Sequence, residues 1–244
     1  MTKRKTRKKP IDATNKITPP ENNVIGFKNT LKPRTINQKK YIRTVAENTV
    51  TFCQGVAGSG KTHIAIGMGL EYLVYEKVKR IVITRPVVEA GERLGFLPGT
   101  AEEKLHPYLL PILDEINYFM QMQHYTKLKV NRQIEVVPLG LMRGRSFHDA
   151  FIVADECQNA SYDQLKMLLT RIGMNSKMIL TGDVAQSDLQ KYQRGGFLNL
   201  ANMLNDVDGV GKVALEAVDI VRNPIIGSIV QRIESHEDQP DEES

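Results

Sequence analysis

Two hydrophobic patterns share this chain. Short, nearly continuous apolar runs occupy residues 50–53, 79–84, 134–138, 150–155, 177–181 and 213–218. Such runs predict strands buried on both faces. Between them lie longer stretches with helical spacing, at residues 33–45, 63–74, 101–128, 162–172, 196–204 and 224–234. In the first of these the apolar positions are Ile36, Tyr41, Ile42 and Val45. In the third, Leu109, Leu110, Ile112, Leu113, Ile116 and Phe119 form the stripe, and Pro107 and Pro111 are expected to break its first part. Pro86 restricts Arg85 and should end the second strand.

Strand and helix alternate throughout. That order predicts a mostly parallel sheet with helices on both faces, joined by right-handed crossovers. The segment 86–149, between two core strands, reads as an insert that forms a subdomain or an elaborated edge. No internal repeat or heptad series is visible.

Composition narrows the class. The 244 residues are 41% hydrophobic and 25% charged, ordinary for a globular protein with one substantial core. No apolar run is long enough to predict a membrane span. The basic N-terminus is not followed by an apolar stretch, so a secretory signal is not expected. The two cysteines, Cys53 and Cys157, fall in or beside predicted strands and suggest a reduced, cytoplasmic setting. The net charge of +5 is laid out unevenly. Lys3, Arg4, Lys5, Arg7, Lys8 and Lys9 open a loose, Pro-containing arm over residues 1–32. Glu234, Glu237, Asp238, Asp241, Glu242 and Glu243 mark an acidic tail, taken as 235–244. Like-charge blocks repel themselves and seldom fold alone. The arm suits phosphate contact, and equally a solubilising role or pairing with the tail.

The chemistry is concentrated after the first apolar run. Gly55-Val56-Ala57-Gly58-Ser59-Gly60-Lys61-Thr62 matches G-x-x-x-x-G-K-[ST] at every fixed position, between a predicted strand and a predicted helix. Its backbone N–H groups and the following helix N-terminus would cradle phosphate oxygens. Lys61 would reach the β- and γ-phosphates, and Thr62 would place its hydroxyl on magnesium. His63, next in sequence, completes the expected nucleotide contacts, or only touches the loop helix. A phosphate loop needs an acidic partner at the end of a buried strand. Asp155 fits as the magnesium partner and Glu156 as the group that polarises water. After the next strand, Gly182-Asp183 and Gln186 sit where ligands of parallel sheets bind. Gln186 could hold the attacking water or sense the γ-phosphate. Arg85, Arg143, Arg145, Arg171, Arg194 and Arg222 are candidate partners for the developing charge, with Arg194 and Arg222 ranked first. His63, His106, His124, His148 and His236 are scattered and form no metal pattern.

Over roughly residues 33–234 the chain resembles the PhoH family of P-loop ATPases, which is related to the motor domains of superfamily 1 helicases. The resemblance rests on TRPVVEAGERLGFLPG (84–99), EKLHPY (103–108), PLGLMRGR (138–145), DECQN (155–159), LTRIG (169–173) and TGDVAQ (181–186). It implies a three-layer α/β fold of the RecA/helicase-like P-loop NTPase type, with one motor domain carrying the insert. It implies ATP and magnesium, with Gln38 of Asn37-Gln38 contacting adenine and Gln158 coupling the nucleotide to neighbouring loops. Arg222 matches a phosphate-sensing arginine, and Asn223 stands where a histidine is usual. Cys157 replaces the usual alanine of the Asp-Glu-Ala-Gln box. The resemblance further implies action on RNA or single-stranded nucleic acid and a homo-oligomer, such as a hexameric ring, since one motor unit needs a neighbour to translocate. The short length resembles the bacteriophage-encoded members, which would place it in the host cytoplasm. A slow nucleotide-gated scaffold and a small-molecule kinase stand as rival readings; the acidic water-activating position favours hydrolysis over the kinase.

Overall fold

The structure, a computed structural model, describes residues 26–86, 101–190, 194–221 and 232. The expected helix 224–234 apart from residue 232, Arg222, the basic residues 3–9 of the arm and the acidic tail lie outside the described residues, as do His236 and most of the motif 84–99.

Six strands form one parallel sheet in the order β3-β2-β4-β5-β1-β6. They are β1 (Val50–Gly55), β2 (Arg80–Arg85), β3 (Ile134–Pro138), β4 (Ala150–Ala154), β5 (Lys177–Gly182) and β6 (Val210–Leu215). The helices are α1 (Ile36–Glu47), α2 (Lys61–Val74), α3 (Ala101–Phe119), α4 (Met122–Val130), α5 (Tyr162–Leu169) and α6 (Gly196–Met203). β1, β2, β4 and β5 are apolar because helices cover both their faces. Ile81, Ile83, Phe151, Val153 and Ile179 pack with α2 and α3 residues. Val82, Ile152, Met178, Leu180 and Phe52 pack on the other face with Leu165, Leu168, Phe197 and Leu200. The edge strand β6 instead alternates buried and exposed positions. The other edge, β3, comes from within the segment 86–149. Among the described residues no helix is long and apolar enough to cross a membrane.

Three expectations change. The segment 101–128 is two helices, and α3 runs unbroken past Pro107 and Pro111. The buried Ile112, Ile116 and Phe119 hold it to the core, each contributing roughly 1.5–3 kcal/mol, which offsets the lost N–H donors. The break falls instead at Met120, which forms a bridge with Phe27. The last strand ends at Leu215 rather than residue 218, because the Asp219 carboxylate accepts the Glu216 N–H at 2.7 Å and closes a 3₁₀ turn over Ala217–Asp219. Ile36 is 83% exposed, so the buried face of α1 is Gln38, Tyr41 and Val45.

α1 begins at the N-cap Thr35, whose hydroxyl accepts the Gln38 N–H at 3.1 Å. Its C-terminal carbonyls are met by Lys177, whose ammonium donates to Val45 O at 2.8 Å and Ala46 O at 3.1 Å, complementing the helix dipole. Before α1, residues 27–34 form a strap over α3. Lys28 N donates to Phe119 O at 2.7 Å, and the Asn29 amide donates to Tyr118 O at 2.7 Å. Gly67 of α2 permits this packing, since a Cβ there would lie 2.7 Å from the Phe119 ring.

Candidate active site

The loop from β1 to α2 closes on its own lysine. Lys61 is buried, and its ammonium donates to Gly55 O at 2.6 Å and Val56 O at 2.9 Å. Ser59 donates to Val56 O at 2.7 Å and tightens the same turn. Gly60 takes φ 91° immediately before α2, a left-handed conformation that glycine adopts without penalty. The free N–H groups at the start of α2 thus open onto a cavity of about 530 Å³.

Behind Thr62, which lines that cavity, the topology brings three oxygen groups together. β5 lies between β1 and β4, so Thr181 stands beside the end of β4. The buried Asp155 Oδ1 accepts from Thr62 Oγ1 at 2.7 Å and Thr181 Oγ1 at 2.6 Å. Its N–H donates to Thr84 O at 2.9 Å, extending the β2–β4 pairing by one residue. Thr62 and Asp155 are hard oxygen donors of the kind magnesium prefers, beside water and phosphate oxygens. Among the described residues no cluster of three or more His, Cys, Asp or Glu is placed to hold a metal, so a cation here would depend on this hydroxyl–carboxylate pair and its substrate.

Glu156 also lines the cavity. Its backbone is left-handed, φ 56° and ψ 38°, which costs a non-glycine residue roughly 1–2 kcal/mol. Glu156 Oε1 faces the Arg85 guanidinium at 3.6 Å, and Oε2 accepts from the Gln158 amide. Gln158 is buried and reaches further: its Oε1 accepts the Asp183 N–H at 3.0 Å, and its Nε2 lies 3.3 Å from Gln186 O. Asp183 Oδ1 accepts the Ala185 N–H at 3.1 Å and fixes that loop. Gln186 therefore meets the network through its backbone. Cys157 is fully buried, and burial pushes its thiol well above the usual range, with the Asp155 and Glu156 carboxylates adding to the rise. Burial likewise pushes the Cys53 thiol up to about 12. Both behave as small apolar residues.

The outer wall is built from distant segments. Gln38 is buried beside the loop, but its amide is engaged within the protein. Its Nε2 donates to Ser59 O at 3.0 Å and its Oε1 accepts the Arg34 N–H at 2.8 Å. His63 lines the same cavity and is held by α3: its Nδ1 is 2.8 Å from Glu115 Oε2, and its ring meets Tyr118 edge-on at 5.0 Å. Tyr118, Glu115, Arg34 and Lys32 line the cavity with Ala57, Gly58 and Thr62. None of those first four was singled out in the sequence; the only available signal was the exposed phase of α3, in which Tyr118 falls opposite the buried stripe. Asp219 anchors this wall from below. Burial raises its carboxyl, but hydrogen bonds from Thr35, the Glu216 N–H and Asn37 outweigh that and hold it below the ordinary value.

The arginines separate by geometry. Arg85 reaches Glu156. Arg145 pairs with Glu135 at 2.7 Å and lies over the Phe147 ring. Arg171 donates to Met167 O and Arg145 O, and Arg194 to Leu189 O at 2.7 Å. Arg143 is exposed beyond β3.

Comparison with known proteins gives the chain its family and its fold. A PhoH-like protein of Mycobacterium tuberculosis strain H37Rv is 45% identical over 209 residues, which is 86% of this chain and 59% of that protein. The protein PhoH of Escherichia coli K12 is 36% identical over 191 residues, 77% of this chain and 54% of that protein. The chain thus spans less than two thirds of these relatives' length. Among solved structures, the large terminase from a thermophilic bacteriophage superposes with a TM-score of 0.52 at 11% identity, covering 83% of this chain and 50% of that one; at that identity the likeness shows the fold alone. The family described as PhoH-like protein matches residues 30–234, and with the parallel sheet and phosphate loop in place, this chain belongs to the PhoH family and has the fold of a P-loop NTPase.

Proposed function

We propose that the chain is a magnesium-dependent ATPase whose turnover is coupled to RNA or single-stranded nucleic acid. The observation that carries the reading is the convergence of Thr62 and Thr181 on Asp155 at 2.6–2.7 Å, joined through Thr62 to the loop cavity that Glu156 also lines. Lys61 exchanges its two carbonyl partners for phosphate oxygens and stabilises the charge that builds there. Thr62 and Asp155 hold magnesium, which when bound neutralises phosphate charge. Glu156 takes a proton from the attacking water. Gln158 conveys the state of that carboxylate to the loop of Asp183 and Gln186, through the hydrogen bonds that join them. Arg222 is retained in the proposal as the phosphate-sensing residue, on the strength of its motif alone.

Gln38 enters the proposal in changed form. With its amide committed to Ser59 O and the Arg34 N–H, it braces the loop against the strap. Contact with adenine requires one of these bonds to exchange. A homo-oligomer in which a neighbouring copy completes the nucleic-acid path belongs to the same proposal, and sizing by light scattering with and without ATP tests it. The coupling itself is tested by ATP turnover with and without single-stranded RNA. Stimulation by RNA is the expected result. Turnover indifferent to RNA, with ATP-dependent affinity for a protein, would favour the scaffold reading instead.

A further inference from the structure

We infer that Arg85 is a positioning residue for Glu156, and that a nucleic-acid phosphate competes with that carboxylate for its guanidinium. The inference rests on the proposed nucleic-acid-coupled hydrolysis and names the contact that carries the coupling.

Both oxygens of Glu156 have partners: Oε1 has Arg85 and Oε2 has Gln158. A general base must turn an oxygen toward water, and the guanidinium facing Oε1 competes with water for it, so the observed arrangement is a resting one. The two partners hold it differently. Gln158 is buried and is itself fixed by the Asp183 N–H at 3.0 Å. Arg85 sits 3.6 Å away, beyond a good hydrogen bond, and the side chains of Arg85 and Glu156 are 25% and 31% exposed. A pair of that kind is weak and screened by water. A phosphodiester offers the planar guanidinium two parallel charge-assisted hydrogen bonds, which the loose carboxylate contact does not supply. The exchange therefore favours phosphate, and it frees Oε1 while Gln158 keeps Oε2 aligned.

Topology places Arg85 where a strand could reach it. It is the last residue of β2, next to β4 through the Thr84–Ala154 pairing, at the carboxyl edge of the sheet. On its other side Arg85 pairs with Pro138, after which the chain makes a 3₁₀ turn over Leu139–Met142 and presents the exposed Arg143. Two cations on one sheet edge suit a phosphate backbone, and only one of them also touches the proposed base.

Coupling through a shared partner is reciprocal, so it is measurable without nucleotide. Fluorescence anisotropy of a labelled U-rich single strand, as RNA and as DNA of the matching sequence, is measured for wild type, Arg85→Gln, Glu156→Gln and the double variant. Glu156→Gln is expected to tighten binding roughly 2- to 5-fold, the range of an exposed ion pair. Arg85→Gln is expected to weaken it and to lower the salt slope by about one. In the double variant the gain from Glu156→Gln should vanish. Turnover without RNA should rise in Arg85→Gln and lose its response to RNA, while Arg85→Lys keeps part of that response. An equal gain from Glu156→Gln in both backgrounds would overturn the coupling while leaving nucleic-acid binding intact. A wild-type protein that binds neither strand would overturn the nucleic-acid reading itself, and this inference with it.

Discussion

The floor and the outer wall of the cavity are made in opposite ways. The floor consists of Lys61 and Thr62 at the start of α2, backed by Asp155 and Thr181 at the carboxyl ends of β4 and β5. Strand pairing places these residues, and short hydrogen bonds lock them. The wall consists of Arg34, Gln38, Glu115 and Tyr118, drawn from a strap and two helices far apart in sequence. Its positions depend on side-chain anchors such as Asp219 and on the packing of α3 against Gly67. In the proposed function the floor holds phosphate charge. The wall can tune what else is bound without disturbing that task.

The largest expected effect breaks the floor. Lys61→Ala should lower turnover by roughly 10²–10³-fold, the usual cost of removing a charge-stabilising donor, measured by steady-state phosphate release. At the wall the effect should be smaller and different in kind. Tyr118→Ala should raise KM for ATP by about 3- to 10-fold with kcat nearly kept, as expected for loss of an aromatic contact that is uniform along the reaction; an equal fall in kcat would place Tyr118 in the chemistry instead. The anchor of the wall is visible in its pH dependence. The folded-state value of Asp219 is depressed below the ordinary 3.8, so the stability it adds is fully present above that value and is lost as pH falls through the folded one. The difference in melting temperature between wild type and Asp219→Asn should stay constant from neutral pH to about 5 and shrink as pH falls below 3.8. The smallest effect is expected at Ile36, which is 83% exposed. Ile36→Ser should change stability by less than about 0.5 kcal/mol in a urea melt.

The same contrast explains what could be read from the sequence. The alternation of runs and helical stretches was enough for the layered parallel sheet, because four of its six strands are covered on both faces and carry the pattern openly. The glycine-rich loop and the Asp-Glu pair stood out because their spacing is local, and the structure brings Lys61, Thr62 and Glu156 to one cavity. The end of β6 was not, since residues 216–218 keep an apolar rhythm that the Asp219 carboxylate interrupts. Nor was the course of α3, where burial of Ile112, Ile116 and Phe119 prevails over two prolines. Ile36 followed a helical rhythm with no neighbour to bury it. Gln38 was found as a position, but the partners that occupy its amide are set by tertiary packing. Arg85 ranked below Arg194 in the sequence; the pairing of β2 with β4, which sets it beside Glu156, is a property of strand order.

One comparison bears most directly on the hydrolytic assignment of the site. ATP binding and ATP turnover should be measured side by side for wild type and Glu156→Gln, with magnesium and without nucleic acid. Binding of ATP within a few-fold of wild type, with turnover reduced by roughly 10²-fold or more, is the expected result. Turnover at the wild-type rate in Glu156→Gln would contradict it, and would move the activation of water away from the carboxylate pair.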